Sequence, residues 1–300
     1  MRTLYLECNM GAAGDMLAAA LLELHPEPEA VLERLNHLGL PGVSFQKERA
    51  VSCGITGTHF SVRVNGVEEE SQDVEMGHEQ EGHLPHHEAH IQEKHHQEAH
   101  IQEHGEHHQE AHACGEHHHI QEEQHHKEHH HHASLHDICH IIDGLELPED
   151  VKQNAKSVYL RIAEAEGHVH GRKVEEVHFH EVGTLDAVAD VVSVCLLMQE
   201  LAVEQVIVSP IHVGSGLVRC AHGILPVPAP ATAYILRGVP IYGGQIKGEL
   251  CTPTGAALIR QFAHEFGSLP LMKIEKIGYG MGRKEFPVAN CVRAMLGESI

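Results

Sequence analysis

Residues 3–25, TLYLECNMGAAGDMLAAALLELH, are the clearest indication of the fold class. Residues 3–8 are a short apolar run that ends at a turn, which is typical of a strand. The next six residues supply the glycines of a tight turn, and residues 15–25 carry apolar side chains at helical spacing. A strand that leads through a tight turn into a helix predicts an α/β or α+β fold, a mixed sheet with helices.

The alternation of strand and helix patterns continues along the chain. Residues 26–39 predict a second helix, with proline and glutamate near its start and Gly39 at its end. Residues 186–201 are apolar nearly all round, which is typical of a buried helix. Pro230 suits the first turn of a helix. The other segments predict two strands around Gly54 and Gly57, helices in 134–145 and 148–171, a strand in 205–216, a turn and helix in 251–267, and a strand entering a glycine-rich loop in 271–286.

Most of the formal net charge of −22 lies in one segment of the 300 residues. Between Glu68 and His132, 17 acidic residues stand against two lysines, a net charge of −15. The rest of the chain has 26 acidic and 19 basic residues, a mild −7. Nucleic-acid binding needs a basic face, which this chain lacks, so we expect no nucleic-acid partner and favour cations as ligands.

Residues 66–132 are almost free of apolar side chains, which predicts a disordered insertion between 1–65 and 133–300, two parts of one domain. Between residues 78 and 132 the chain holds 21 of its 33 histidines. Imidazole is a common ligand of nickel, zinc and copper, and pairs spaced i,i+4 would share one face of a helical turn. We therefore predict a metal-binding segment, with a purely solvated spacer as the alternative. The candidate pairs are His86 with His90, His96 with His100, and His108 with His112.

Residues 177–190, VHFHEVGTLDAVAD, are the densest candidate site outside the insertion, and EGHVHG precedes them at 166–171. Two interpretations of these polar residues are open: a metal or acid–base site, and structural hydrogen bonding. For Asp186 the structural alternative is that it stabilises the start of a helix. Asp190 is the odd polar residue in an apolar helix, and a buried carboxylate needs a partner. The candidate catalytic residues are His178, His180 and Glu181, and the candidate metal ligands or their supports are His168, His170, Asp186 and Asp190.

Two glycine-rich stretches have the layout of anion-binding loops. GAAGD, residues 11–15, lies between a strand and a helix, which makes Gly11, Gly14 and Asp15 candidate binding residues, although Asp15 is equally suited to be an N-cap. IGYGMGRK, residues 277–284, makes Gly280 and Arg283 candidates for phosphate contact, or the glycines serve plain turns. RCAHG, residues 219–223, offers Cys220 and His222 to a soft metal or to local structure.

The compartment follows from the cysteines and the apolar runs. Eight cysteines are scattered without a CxxC pair, no signal peptide precedes them, and no run approaches the ~20 residues of a membrane span. We expect a cytoplasmic protein with reduced thiols and no membrane partner.

Five motifs in succession resemble the LarC family, the nickel-insertion proteins of nickel-pincer cofactor biosynthesis. They are YLECNMGAAGDMLAAALLEL, VHFHEVGTLDAVADVV, HGILPVPAPAT, GELCTPTGAALI and IGYGMGRKEFPVANCVRAMLGE. The resemblance implies insertion of Ni(II) into pyridinium-3,5-bisthiocarboxylic acid mononucleotide. The reaction would consume CTP and require Mn(II) or Mg(II), and its product would be the cofactor of lactate racemase-type enzymes. From their residue types, His178, His180 and Glu181 are the candidates for holding nickel or taking the proton lost from the substrate ring, with Asp186 and Asp190 orienting the histidines.

The chain departs from the family pattern in two places. It ends at LGESI, where LarC proteins usually continue into a CTP-binding domain. The chain is then either the N-terminal product, with that domain as a separately encoded or frameshifted partner, or a complete short form. The nickel-pincer apo-enzyme is a further expected partner. The typical FSG after the first strand reads NMG here. The alternatives to an insertase are a histidine-rich nickel or zinc store without turnover, and a zinc hydrolase or cyclase that uses the 178–190 group.

Overall fold

A computed structural model describes residues 1–68, 133–179, 182–220 and 222–300 of the chain. The predicted metal-binding pairs of the insertion therefore lie outside the described residues. The helices are α1 (Gly14–Leu24), α2 (Pro28–Asn36), α3 (Leu135–Gly144), α4 (Glu149–His170), α5 (Leu185–Leu201), α6 (Pro230–Ile235) and α7 (Pro253–Phe262), with a short 3₁₀ turn at Val174–Glu176. The strands are β1 (Arg2–Glu7), β2 (Val43–Ser52), β3 (Ile55–Val64), β4 (Ala133–Ser134), β5 (His178–Phe179), β6 (Gln205–Val208), β7 (Ile211–His212), β8 (Gly214–Ser215), β9 (Leu217–Cys220), β10 (Gly223–Pro226), β11 (Ile241–Tyr242), β12 (Gly248–Glu249), β13 (Glu265–Phe266), β14 (Met272–Met281) and β15 (Cys291–Ser299).

Seven strands form the central sheet, in the order β13-β6-β1-β15-β14-β3-β2. β1 pairs parallel to β6 and antiparallel to β15, so the sheet is mixed. β2 and β3 form the hairpin that was predicted around Gly54. The predicted α/β class with a mixed sheet is confirmed.

One face of the sheet carries the main core. Leu4 and Leu6 of β1 are buried in it, and α1 packs on β14, β15 and β3 as well as on α5. The buried faces of α1 and α5 are rich in alanine, valine and leucine, and α5 is buried nearly all round, as its sequence predicted. The opposite face of the sheet holds a small apolar cluster of Tyr5, Ile207 and Met295. The N-terminal ends of α1 and α5 therefore come together above one face of the sheet.

Gly280 is part of this helix–sheet contact. The sequence placed it in a glycine-rich loop, but β14 continues through Gly280 and ends at Met281. α1 lies so close to β14 that a Cβ built on Gly280 would overlap the carbonyl oxygen of Met16. The loop begins only at Gly282, and Gly280 serves the packing of α1.

We expect Gly280→Ala to lower the free energy of unfolding by roughly 3 kcal/mol, because the atoms in its way belong to the backbone of α1 and cannot rotate away. Urea unfolding at neutral pH measures the change. Gly267→Ala is the matched control, since a Cβ there meets no atom within 4 Å. Equal stability of the two variants would contradict the close contact.

Candidate active site

A cavity of about 620 Å³ opens where the N-terminal ends of four helices converge. Residues at the starts of α1, α5, α6 and α7 line it, together with the last turn of α4 and the segment that follows β14. A helix N-terminus carries a partial positive charge and unpaired N–H groups. The convergence therefore favours anionic groups inside this cavity.

Three carboxylates on two helices, Asp15, Asp186 and Asp190, line the cavity; we call them the acidic group. Asp186 and Asp190 are spaced i,i+4 on α5, so they share one face, and Asp15 lies in the first turn of α1. Gly14 allows the approach of the two helices, because a Cβ on it would lie 2.6 Å from Oδ2 of Asp190. The Asp190 carboxylate accepts a hydrogen bond from the backbone N–H of Asp15.

Burial raises the pKa values of two members of the acidic group, Asp190 and Asp15. Burial, then the charges of Asp15 and Asp186, raises the pKa of Asp190 well above its usual range, against the opposing charge of Arg283. Burial also raises the pKa of Asp15, opposed by the N–H of Met16 and by Arg283. Oδ1 of Asp190 is buried and has no hydrogen-bond partner within the described part of the chain. These surroundings favour the protonated form of the Asp190 and Asp15 carboxyls more than water does.

Tyr159 of α4 lies beneath the acidic group. Its side chain is fully buried and packs edge-on against Phe179, with 5.8 Å between the ring centroids. Burial, followed by the charges of Asp190 and Asp186, raises the pKa of Tyr159 well above its usual value. The phenol therefore remains neutral and presents an O–H close to the carboxylates.

A cationic wall follows β14. Arg283 and Lys284 line the cavity, and Arg283 forms an ion pair with Glu68. Glu68 also contacts Nε2 of His59 at 3.2 Å, and Nδ1 of His59 lies 3.3 Å from the carbonyl oxygen of Met281. Although burial opposes it, Arg283 together with His59 lowers the pKa of Glu68. Glu68, the last described residue before the insertion, therefore contacts the cavity wall through Arg283.

Glu166, His170 and His222 lie together on the cavity wall; we call them the rim cluster. Nε2 of His170 lies 3.3 Å from Oε2 of Glu166, and the rings of His170 and His222 are 4.6 Å apart. Each side chain offers one ligand atom, and the three atoms lie within 4.8 Å of one another. Of the described residues, these form the set of three or more close enough to hold a metal ion.

The family of the chain follows from comparison with known proteins. The family model described as "Nickel insertion protein" matches residues 4–300. The chain belongs to the nickel insertion protein family. The resemblance to LarC proteins is thereby confirmed.

Curated relatives of this family match almost the whole chain. It is 36% identical to the pyridinium-3,5-bisthiocarboxylic acid mononucleotide nickel insertion protein of Geobacillus kaustophilus, over 99% of this chain and 60% of the relative. It is 37% identical to the protein of the same name from Clostridium kluyveri, over 99% of this chain and 62% of the relative. It is 36% identical to a putative nickel insertion protein of Geotalea daltonii, over 100% of this chain and 62% of the relative. The chain thus spans about 60% of these relatives' length. No solved structure matches it at a significant level.

The cavity brings together only some of the residues that the sequence singled out. Those that line it are Gly14, Asp15, His170, His178, Asp186, Asp190, Cys220, His222 and Arg283. His168 lies elsewhere, with its ring 4.4 Å from that of Tyr234. Gly11 forms a tight turn against the Leu250 backbone. Asp15 is the second residue of α1, whose N-cap is Ala13, so it is not the N-cap. His180 and Glu181 lie outside the described residues.

Two residues of the cavity, and one buried residue outside its lining, carried little or no signal in the sequence. Glu166 is spaced i,i+4 from His170 on α4, a pattern that could have been used. His222 was left open between metal binding and local structure, and its contact with His170 depends on the β9–β10 hairpin. Tyr159 gave no signal at all, because a tyrosine on an amphipathic helix is an ordinary core residue.

Other features of the described residues bear on the protein's surroundings. Seven cysteines lie there, and all are free thiols. No described helix has the length and apolarity needed to cross a membrane.

Proposed function

We propose that this chain binds Ni²⁺ and inserts it into pyridinium-3,5-bisthiocarboxylic acid mononucleotide, with the 620 Å³ cavity as the reaction site. The membership of the chain in the nickel insertion family and the names of its relatives support this assignment of the reaction. The single observation that supports this location is that the acidic group and Arg283 line the same cavity.

The anionic parts of the substrate suit the positive parts of this cavity. A phosphate monoester carries between one and two negative charges at neutral pH, and arginine binds it through two parallel hydrogen bonds. Arg283 and Lys284 are the proposed phosphate contacts. The N-terminal end of α7, which carries no acidic residue in its first turn, would favour the thiocarboxylates.

A nickel–carbon bond forms only when the ring carbon loses its proton, so the reaction needs a base close to the metal. We assign that role to Asp190. Its raised pKa makes the Asp190 carboxylate a stronger base than an ordinary aspartate, and the charges of Asp15 and Asp186 contribute to that shift. In the step, the ring C–H bond breaks, its electron pair forms the C–Ni bond, and the proton moves to the carboxylate. His178 faces the same cavity and, with His180 and Glu181, remains the predicted nickel-handling motif.

The histidine-rich insertion is the proposed supply of nickel, acting as a set of weak sites. Both described segments that flank it contact the cavity wall. Glu68, at the end of the first segment, pairs with Arg283, and Ala133–Ser134 pairs with the strand that carries His178. The two described chain ends that flank the insertion therefore both lie at the cavity.

The finer parts of the activity follow the LarC resemblance. We propose a metal-chelatase reaction of the lyase type that consumes CTP with Mn(II) or Mg(II), and that supplies the cofactor of lactate racemase-type enzymes in the cytoplasm. The CTP-binding domain and the apo-enzyme are the proposed protein partners. The alternative, a nickel or zinc store without turnover, rests on the 21 histidines between 78 and 132.

Deletion of residues 78–132 separates the two functions. If the chain is an insertase, the deletion variant should keep its single-turnover yield of nickel-pincer product when Ni²⁺ is in excess. If the chain is a store, the variant should lose nearly all of its bound metal, and neither it nor the parent should form product. Product is measured by mass spectrometry with substrate, NiCl₂, CTP and MgCl₂, with and without the C-terminal domain of a relative. Absence of product from the full chain under every condition would contradict the proposed function.

A further inference from the structure

We propose that the rim cluster, Glu166, His170 and His222, is a binding site for a divalent transition-metal ion and that Ni²⁺ is its ligand. The existence of the metal site follows from the geometry of the described residues. The choice of nickel rests on the proposed function.

The backbone holds two of the three ligands in register. Glu166 and His170 are spaced i,i+4 in the last turn of α4, so their side chains lie one above the other. The helix ends at Gly171, which has a positive φ of 63°, and the N–H of Arg172 bonds to the carbonyl oxygen of Gly167 at 2.9 Å. The last turn is thus closed by a defined C-cap, which fixes the direction of both side chains.

The third ligand comes from a different part of the chain. His222 lies in the turn between β9 and β10, a hairpin whose register pairs Cys220 with Gly223. This hairpin brings the His222 ring to 4.6 Å from that of His170, at an interplanar angle of 46°. The rings are therefore tilted and are not stacked face to face. The two exposed imidazoles and the carboxylate, which come from the last turn of α4 and from the β9–β10 turn, thus bring their ligand atoms within 4.8 Å of one another.

The electrostatics of the position favour a cation. The last turn of α4 exposes carbonyl oxygens, and the C-terminal end of a helix carries a partial negative charge. Glu166 adds a full negative charge. The positive charges of Arg283 and Lys284, which line the same cavity, would instead hold anionic groups.

The donor set indicates which ions bind. Two imidazole nitrogens and one carboxylate suit nickel, zinc and copper, whereas magnesium and calcium prefer oxygen ligands. Three protein ligands leave coordination positions open for water or substrate. An ion held by these ligands at an exposed rim can exchange with solvent. This is expected of a transient site that passes nickel to the substrate in the cavity, and not of a permanent structural site.

His168 provides a matched control on the same helical turn. It is also exposed, but its ring packs on Tyr234 and it does not line the cavity. Any loss of helix stability or surface charge from a histidine substitution applies equally to His168→Ala. Only the loss of a ligand is specific to His170→Ala and His222→Ala.

The test uses the full chain with the 21 histidines of residues 78–132 changed to glutamine, so that the insertion does not mask other sites. Titration with NiCl₂ at pH 7.5, followed by calorimetry, should give one ion of highest affinity. His170→Ala and His222→Ala should each weaken it at least about tenfold, and Glu166→Gln should weaken it less. Nickel X-ray absorption should show two coordinated imidazoles in the parent and one in each histidine variant.

The control His168→Ala should bind as the parent does, and MgCl₂ should not compete. The proposal is overturned if the parent binds no nickel at a single high-affinity site, or if His170→Ala and His222→Ala bind like His168→Ala. Loss of nickel binding in these variants, together with absence of insertion by the parent at any nickel concentration, would support the rim site and contradict the proposed function. Insertion by the parent, together with unchanged nickel binding in both histidine variants, would contradict the rim site and leave the proposed function in place.

Discussion

Asp190→Asn should reduce the rate of nickel insertion by about 10²–10³-fold while making the folded chain more stable at pH 8. A positioned general base contributes about this factor, and asparagine cannot accept the proton. The stabilisation follows from the raised pKa, because the folded chain must hold an ionised carboxylate that burial, Asp15 and Asp186 all disfavour. Removing that charge should raise the free energy of unfolding at pH 8 by roughly 1–3 kcal/mol.

The sign of the pH dependence distinguishes this cause from a general packing effect. The pKa of Asp190 is raised on folding, so between the unfolded value near 3.9 and the folded value the folded chain holds more protons. Its stability therefore falls as pH rises through that interval, and asparagine does not share this loss. The advantage of Asp190→Asn should be small near pH 4 and grow toward pH 8. Urea unfolding at several pH values measures it.

Asp143→Asn is the control with the opposite sign. Asp143 is exposed and paired with Lys156, and its hydrogen bond from Lys156 lowers its pKa. Its contribution to stability is present above the unfolded pKa and is lost as pH falls, so this variant should be less stable at pH 8 and insertion should be unaffected. If Asp190→Asn retained insertion within about threefold of the parent, or shifted stability equally at all pH values, Asp190 would not be the proton acceptor.

The acidic group shows how far residue patterns lead and where they stop. Asp190 stood out in the sequence because it is polar in an otherwise apolar helix, and Asp186 precedes it by four residues on the same face. Asp15 was assigned separately to an anion-binding turn, 171 positions before Asp186 in the chain. Their meeting depends on the packing of α1 against α5, which in turn requires the missing side chain of Gly14. No local pattern encodes such a contact.

The glycines illustrate the same limit. Gly14 and Gly280 both looked like parts of phosphate-binding loops, because spaced glycines beside charged residues are common there. Gly280 instead lies in β14 against the Met16 carbonyl, and Gly14 admits Asp190. A glycine that permits close backbone approach has the same sequence signature whether the neighbour is a ligand or another helix. The α/β class was readable because it depends on periodicity, which is local.

Arg283→Gln should raise the dissociation constant of the pyridinium mononucleotide about 30–150-fold, which corresponds to the roughly 2–3 kcal/mol of a charge-assisted contact. Arg283 lines the cavity beside Lys284 and opposes the acidic group, so it is the proposed partner of the substrate phosphate. Calorimetric titration with the nickel-free substrate measures the change. Arg283→Lys should fall between the parent and Arg283→Gln, because lysine keeps the charge but loses the bidentate geometry.

A second consequence of Arg283→Gln involves the acidic group. Arg283 lowers the pKa values of Asp15 and Asp190, so its removal should raise both. The acid limb of the insertion rate should then move to higher pH, because Asp190 must be ionised to accept the ring proton. Arg237→Gln is the matched control, since Arg237 stacks on Tyr234 at 3.6 Å and does not line the cavity. An unchanged dissociation constant would place the phosphate elsewhere, and an unchanged acid limb would remove Asp15 and Asp190 from the proton transfer.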